Sequence, residues 1–350
     1  MGYIHSITTS TPNTFVEQTE VEKLAIHLFS ESNLDIEKYL PIFQNTLIHK
    51  RPILMPIEYY SKDKTFKEKN DLFVETAFEL SKSAILSVLE KSNTQPEEIA
   101  AFFLITSSGF VTPTLDARLI DAVNLSTDCI RIPLVGLGCA GGCYGLARAN
   151  EFTKIYPNKK ILLVAVETCT LTFRPSDKKK ANLVALSLFS DGASALILSS
   201  EEKKESIQIF NSKSRKWRNT LDIMGWEVAE DGLQVIFDKS IPYLIKKYYL
   251  DFYKTFLNEN SLDNSKIKHF LFHPGGAKVL QAFEEILERD SSYFSNSYEI
   301  LKNFGNLSSP TIYFVIENFL NNKKFAPNEL GVFSAMGPGF SGELSFFKTS

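Results

Sequence analysis

Ile132-Pro-Leu-Val-Gly-Leu-Gly-Cys139-Ala-Gly-Gly-Cys143-Tyr-Gly-Leu-Ala-Arg-Ala-Asn150 joins an apolar, strand-like run to a helix-like run across a Gly-Cys-Ala-Gly-Gly corner. Cys139 stands at that corner. The first turn of a helix presents aligned N–H groups and the positive end of the helix dipole, which favour a thiolate, the nucleophilic form of cysteine. Gly138, Gly141 and Gly142 let the backbone turn sharply and leave room for a substrate beside the sulfur. The alternative is a structural cysteine packed inside a Gly-rich helix, because free cysteine is among the most buried residue types.

The surrounding chain alternates strand and helix patterns. On the N-terminal side, 3–9 read as a strand, 17–30 as a helix, and 32–60 as an irregular stretch with three prolines and the basic trio His49-Lys50-Arg51. A long amphipathic period covers 68–89, and the apolar run 99–106 has the β-branched and aromatic content of a strand buried on both faces. A loop, a helix over 115–123 and a strand over 129–135 lead to Cys139. Beyond it come a buried strand over 161–167 and a loop passing into a strand over 186–198. The second half repeats the grammar: helices near 237–258, 276–288 and 306–320, and strands at 267–272, 330–334 and 342–347. The class is α/β, with a boundary near 200 dividing the chain into 1–200 and 201–350.

The totals narrow the function. With 350 residues and 44% apolar content the chain can bury a large core. A net charge of −3 gives no reason to expect nucleic-acid binding, and Lys213-Ser-Arg215-Lys216-Trp217-Arg218 reads as a solvated face. Four cysteines lie between 129 and 169 with no CxxC pair and no signal peptide ahead of them, so a reducing, cytoplasmic setting is expected. No apolar run reaches 18 residues, and no membrane span is expected. Met1-Gly2-Tyr-Ile-His-Ser6 matches the loose N-myristoylation pattern, but the same residues read better as the first strand. Cys143, four residues beyond Cys139, is expected to pack rather than to bind metal, and no metal site is expected. Lys178-Lys-Lys180 is expected to be solvated.

A nucleophilic Cys139 needs a base or a charge-stabilising group. Among five histidines, His273 ends the strand 267–272 and is followed by Pro274-Gly275-Gly276 and a helix, a position that projects into the ligand crevice of an open α/β sheet. Gly305-Asn306-Leu-Ser-Ser309 precedes another helix, where Asn306 can be either an N-cap or a catalytic amide donor. Gly337-Pro338-Gly339 is a tight loop between two strands, suited to a β-turn or to close backbone approach to a ligand.

These four motifs, in this order, resemble the type III polyketide synthases, the chalcone synthase-like branch of the thiolase superfamily, and the likeness spans most of the chain. It takes in Thr112-Pro113, Glu167 through Arg174, and Leu188-Phe189-Ser190-Asp191-Gly192. The resemblance implies a thiolase-like fold, with two similar α/β halves forming a layered αβαβα core. It makes Cys139 the nucleophile that holds the growing chain as a thioester. His273 shares its proton, and Asn306 joins His273 in stabilising the enolate formed when malonyl-CoA loses CO2.

Acyl-CoA and malonyl-CoA are the implied substrates, a homodimer the implied assembly, and no metal or redox cofactor is needed. Phe189 matches one of two gatekeeping phenylalanines, while the second falls at Val235, a departure that opens the gate to bulkier starters. Cys169 and Thr172 match cavity-lining positions, and Thr112 matches a residue that reaches across the dimer interface. Gly275, Gly276 and the Gly337-Pro338-Gly339 loop match substrate-facing backbone. Lys50, Arg51 and Lys278 are the candidate CoA contacts. The expected products are alkylpyrones or alkylresorcinols, with tetrahydroxynaphthalene or phloroglucinol as alternatives. A single-round ketoacyl synthase using acyl carrier protein, and a non-catalytic binding protein on the same fold, are the competing readings.

Overall fold

The computed structural model describes residues 2–30 and 34–350. Met1 of the myristoylation pattern and residues 32–33 of the irregular stretch lie outside them. The first half runs through β1 (Gly2–Ser10), β2 (Phe15–Glu17), α1 (Gln18–Phe29), α2 (Ile36–Tyr39), α3 (Pro41–Asn45), β3 (Lys50–Pro52), α4 (Phe66–Ser92) and β4 (Ile99–Thr106). It continues with α5 (Leu115–Ala122), β5 (Ile130–Val135), α6 (Gly141–Ile155), β6 (Lys160–Thr168), α7 (Lys180–Leu188) and β7 (Asp191–Ser199). The second half contains β8 (Ile207–Lys216), β9 (Met224–Ala229), β10 (Gly232–Phe237), α8 (Ile241–Glu259), β11 (Ile267–Phe272), α9 (Ala277–Leu287), α10 (Ser295–Phe304), α11 (Thr311–Asn322), β12 (Leu330–Gly337) and β13 (Ser341–Thr349).

Nine strands form one sheet in the order β11-β12-β13-β8-β1-β7-β6-β4-β5. Four strands of each half correspond, with β5 added at the edge of the first. In the first, β4 is parallel to β6, which is antiparallel to β7, which is antiparallel to β1. In the second, β11, β12, β13 and β8 repeat that sequence of orientations. The halves join where β1 meets β8 at Gly2↔Ile209 and Tyr3↔Gln208. Alternation then builds three apolar layers. Phe103, Ile105, Leu163 and Leu196 of the first half face the same central core as Leu271, Phe333 and Phe347 of the second, with α6 and α11 inside it. Phe102, Leu104, Leu162 and Ile197 turn outward onto α4 and α5, while Phe270, Phe272, Val332 and Phe346 turn outward onto α8 and α9. The result is the layered αβαβα arrangement.

Helix α6 fits between the two half-sheets because it is rich in glycine: a Cβ on Gly145 would stand 2.3 Å from Ile105 Cδ1, and one on Gly142 2.4 Å from the Ser309 carbonyl oxygen.

Several elements differ from expectation. The loop expected at 186–188 is the end of α7. The helix expected from 306 begins at Thr311 and is preceded by α10, and β8–β10 were not legible as strands. The basic cluster at 213–218 lies along β8 and just past it, with Lys216 and Arg218 exposed as expected and Lys213, Arg215 and Trp217 half-buried. Lys213 pairs with Glu259, Arg215 lies 2.8 Å from Asp251, and Trp217 stacks on Tyr248 at 5.5 Å. Gly2 N–H donates to Asn150 Oδ1 at 2.7 Å inside the sheet, in keeping with the strand reading.

Candidate active site

Cys139 sits in a 3₁₀ turn, Gly138–Ala140, that runs directly into α6. The turn needs glycine at 138, where φ is +47° and an added Cβ would stand 3.0 Å from the Pro338 ring. Gly138 N–H donates to Ser107 Oγ at 3.0 Å, and Ser107 N–H donates to Glu167 Oε2 at 2.9 Å. Ser309 Oγ–H donates to Glu167 Oε1 at 2.9 Å. One buried carboxylate thus ties together the segment after β4, the end of β6 and the approach to α11. Burial pushes Glu167 up to about 7, against the pull of those hydrogen bonds.

Asn306 is fully buried, and its backbone is stitched to the α7–β7 connection. Its N–H donates to Leu188 O at 2.9 Å, and Ser190 N–H donates to Asn306 O at 3.0 Å. Its side chain accepts from Ser308 N–H at 2.8 Å, donates to Gly275 O at 3.3 Å, and lies 3.9–4.0 Å from Cys139 Sγ. The N-cap residue of α11 is Pro310, so Asn306 caps nothing and its amide faces the sulfur. Ser308 Oγ, 3.7 Å from Cys139 Sγ, is a neighbour that the sequence offered only as part of a motif.

His273 follows β11, with its N–H donating to Ser334 O at 2.8 Å. Its imidazole is buried and neither ring nitrogen has a hydrogen-bond partner. Two unsatisfied ring nitrogens in an apolar setting are expensive unless a ligand uses them. Burial lowers His273 to about 3 and raises Cys139 to about 11. Taken one at a time, then, each group is driven by burial toward its uncharged form.

Phe189, Cys169, Ala185 and Val235 form one apolar cluster, with Phe189 against Trp226 at 5.7 Å and Phe237 at 6.5 Å. Cys169, Thr172 and Phe189 line a pocket together with Tyr60 and Phe173. Thr112 is exposed on the loop after β4. Gly337 packs against the chain itself rather than standing open: a Cβ there would lie 2.5 Å from Ala140 Cβ and 2.8 Å from Leu137 O, so the Gly337-Pro338-Gly339 loop braces the Cys139 turn.

Two of the CoA candidates, Lys50 and Arg51, lie apart from Lys278. Arg51 is 2% exposed and buried among Gln18 Oε1, Ser187 O and Leu186 O, all of which accept from its guanidinium. Lys50 is exposed, over the Phe15 ring at 5.7 Å. Neither lines the groove that contains Lys278, Gly275 and Gly276. The short strand β3, paired with β2, turns Arg51 inward, so a residue expected in solvent is a structural cation.

The family models for chalcone and stilbene synthases match residues 2–202 with the N-terminal domain and 210–349 with the C-terminal domain. The chain belongs to the chalcone and stilbene synthase family. It is a type III polyketide synthase, an acyl-transferring enzyme. A chalcone synthase-like protein of Bacillus subtilis (strain 168) is 38% identical over 99% of this chain and 98% of its own. The 1,3,6,8-tetrahydroxynaphthalene synthase of Streptomyces peucetius subsp. caesius is 28% identical over 97% and 91%. The alpha-pyrone synthesis polyketide synthase-like Pks18 of Mycobacterium tuberculosis is 26% identical over 99% and 91%. Among solved structures, the C-terminal type III polyketide synthase domain of Steely1, a type I/III hybrid from Dictyostelium, superposes with a TM-score of 0.92 at 27% identity, covering 99% of both chains. Among the described residues of this synthase, no helix is long and apolar enough to cross a membrane, and no group of three or more His, Cys, Asp or Glu side chains is arranged to hold a metal ion.

Proposed function

We propose that this synthase loads an acyl-CoA starter onto Cys139, extends it with several malonyl-CoA units and releases an alkylpyrone or alkylresorcinol. The observation that carries the site assignment is the Asn306 amide, which lies 3.9–4.0 Å from Cys139 Sγ and donates to Gly275 O, two residues past the unpartnered His273 ring. Passing the Sγ proton to His273 turns two groups that each resist charge into a neutral-overall ion pair, whose mutual attraction offsets the desolvation that either would meet alone. The thiolate attacks the starter carbonyl and CoA leaves as its thiol. His273 and Asn306 then donate to the thioester oxygen of malonyl-CoA. The C–CO2⁻ bond breaks and leaves an enolate, whose carbon attacks the acyl-cysteine carbonyl. A β-ketoacyl-CoA forms and Cys139 is freed for reloading.

CoA thioesters are the only substrates this chemistry requires, and it uses no cofactor. Val235 at the gate, where a second bulky ring would narrow the passage beside Phe189, supports a fatty starter. The naphthalene alternative has the Streptomyces relative in its favour. We assign the nucleophile to a half spanning 1–200 and the His273–Asn306 pair to a half spanning 201–350. A homodimer is supported by β5, an edge strand with Ile130 and Val135 exposed. Four buried free cysteines suit a reducing cytoplasm.

The test is purified protein with malonyl-CoA and acyl-CoAs from acetyl to palmitoyl, beside Cys139→Ala, read by mass spectrometry. Pyrones or resorcinols from the unmutated protein alone are expected. A naphthalene from malonyl-CoA alone, with no gain from long-chain starters, would replace the starter assignment. A single uncyclised condensation that depends on acyl carrier protein would replace the reaction.

A further inference from the structure

Among the described residues, β9 and β10 pair only with each other, so the hairpin they form hangs beside the nine-stranded sheet rather than belonging to it. Trp226 and Val235 stand directly opposite in its register and therefore share one face. That face, with Phe237, packs on Phe189 in the cluster that also holds Cys169. The outer strand exposes Glu227 and Val228. A two-stranded ribbon is marginally stable at best by itself. Whatever fixes this hairpin therefore also fixes how closely Val235 approaches the wall made by Cys169 and Thr172.

Arg174 makes that tie. It lies two residues past Thr172, where the chain leaves the 3₁₀ turn Cys169–Thr172. Its Nε donates to Asp231 Oδ2 at 2.8 Å, and its Nη2 lies 2.7 Å from Asp231 Oδ1. Its Nη1 donates to Gln234 Oε1 at 2.9 Å. Asp231 is in the turn between β9 and β10, and Gln234 is the residue before Val235. A planar guanidinium that holds both carboxylate oxygens fixes angle as well as distance. Buried Lys69 of α4 reaches the same junction, its Nζ donating to Phe173 O at 3.0 Å beside Gly232. The segment that carries Arg174 is itself anchored. Asn182 Nδ2 donates to Arg174 O at 2.8 Å and to Asp177 O at 2.7 Å, and Lys178, expected in solvent, donates to Leu28 O and Pro175 O. Arg174 is thus a post held by α1 and α7, and the hairpin is the part that depends on it.

Resting on the function proposed above, we infer that Arg174 is a positioning residue for starter selectivity: through Asp231 and Gln234 it sets how far the β9–β10 hairpin stands from Phe189, Cys169 and Thr172, and so the width of the passage that the acyl chain enters. Arg174 touches no substrate in this role. Val235 leaves the gap, and the Arg174 clamp holds it at one width. With the clamp gone, Trp226 and Val235 can shift, and alkyl chains of different length are told apart less well.

The test compares Arg174→Ala, Asp231→Ala, the double variant and Arg174→Lys with Lys67→Ala, which breaks an exposed ion pair with Asp71 on α4. For each protein kcat/KM is measured with acetyl-CoA and with palmitoyl-CoA. In Arg174→Ala the ratio of the two constants is expected to move about threefold to tenfold toward unity. The change should fall on the ratio rather than on kcat with the preferred starter. Asp231→Ala should act in the same direction, and the double variant no further than Arg174→Ala, because both remove one contact. Arg174→Lys keeps the charge without the fork and should fall between. Hydrogen exchange over 224–237 should quicken in Arg174→Ala and Asp231→Ala while β6 stays unchanged, and Lys67→Ala should match the unmutated protein throughout. A ratio that does not move, equal loss on both starters, or effects that add in the double variant would each overturn the assignment. Should Arg174→Ala fail to fold, Asp231→Ala, at a half-buried turn, carries the test alone. If the unmutated protein condenses malonyl-CoA onto no starter, the proposed function fails. Exchange over 224–237 in Asp231→Ala then decides the clamp, and uptake equal to that of the unmutated protein would overturn it.

Discussion

The Asn306 amide lies 4.0 Å from Cys139 Sγ while the same nitrogen donates to Gly275 O at 3.3 Å, two residues past His273. It is a hinge pin between the nucleophile's turn and the histidine's turn. Replacing it should therefore separate the two halves of the reaction. Asn306→Ala is expected to lower condensation about 100- to 1000-fold, the usual loss for one donor to a developing oxyanion, while Cys139 still accepts a starter. Intact-protein mass after mixing with acyl-CoA reports loading, and CO2 release from malonyl-CoA reports the second step. Equal loss of both steps would contradict this division.

Burial alone drives Cys139 and His273 toward their neutral forms, so any thiolate at neutral pH depends on the pair. His273→Gln should leave the sulfur facing desolvation by itself. The pH profile of iodoacetamide inactivation is then expected to move to higher pH than in the unmutated enzyme. Coincident profiles would show that His273 does not take the proton.

Glu167 is held at about 7, raised from its ordinary 4.5 by burial, and Glu343 and Asp191 are raised in the same way. A carboxyl whose folded value is raised stabilises the fold fully below its unfolded value and loses that contribution as pH climbs to the folded one. The protein should thus lose stability between about pH 4.5 and 7 from Glu167 and Glu343, and between pH 3.8 and about 6 from Asp191. Glu167→Gln, which keeps an acceptor for Ser107 N–H or Ser309 Oγ–H, is expected to flatten that fall. Thermal midpoints from pH 4 to 8 on both proteins check the sign. A steeper fall in the variant would refute it.

Arg51 donates to three acceptors inside the fold and stays cationic there, lowered only to about 10 by burial. Arg51→Ala takes the guanidinium from Gln18 Oε1 and Leu186 O, while Ser187 O keeps the Gln18 amide, and should destabilise by about 3–5 kcal/mol in chemical denaturation. Lys50→Ala should change neither stability nor KM for malonyl-CoA. A KM effect in Lys50→Ala would return that residue to the substrate path.

Val235 packs beside Phe189 and Cys169, so bulk added there enters the passage. Val235→Phe is expected to cut kcat/KM for palmitoyl-CoA more than for acetyl-CoA. The ratio of the two constants is insensitive to a general loss of active protein. An unchanged ratio would mean that starter length is set elsewhere.

Much of this was legible along the chain. Strands β4, β6 and β11 could be read from short apolar runs, and Cys139, His273 and Asn306 from Gly-rich contexts at element ends. The hairpin β9–β10 was missed, and β8 read as a charged surface, because Lys213-Ser214-Arg215-Lys216 is wholly polar on a strand whose partner, β13, is remote in sequence. Arg51 was misplaced for a related reason. Its three acceptors lie on Gln18 and at the end of α7, and no local pattern shows that a basic trio will be folded inward.

The sequence by itself determined the alternation of helix and strand, the glycines that let the Cys139 turn and α6 pack closely, and the residues that we propose as reactive. These are local properties, set by side-chain period and by which residues tolerate a sharp turn. Only the tertiary structure decided that Asn306, 167 positions away, faces the Cys139 sulfur, that Glu167 binds three segments together, and that Lys180 rather than Lys50 borders the groove. Those outcomes depend on which surfaces two half-sheets bury against a shared pair of helices. Desolvation and hydrogen-bond satisfaction are properties of that packing, and no stretch of the chain carries them alone.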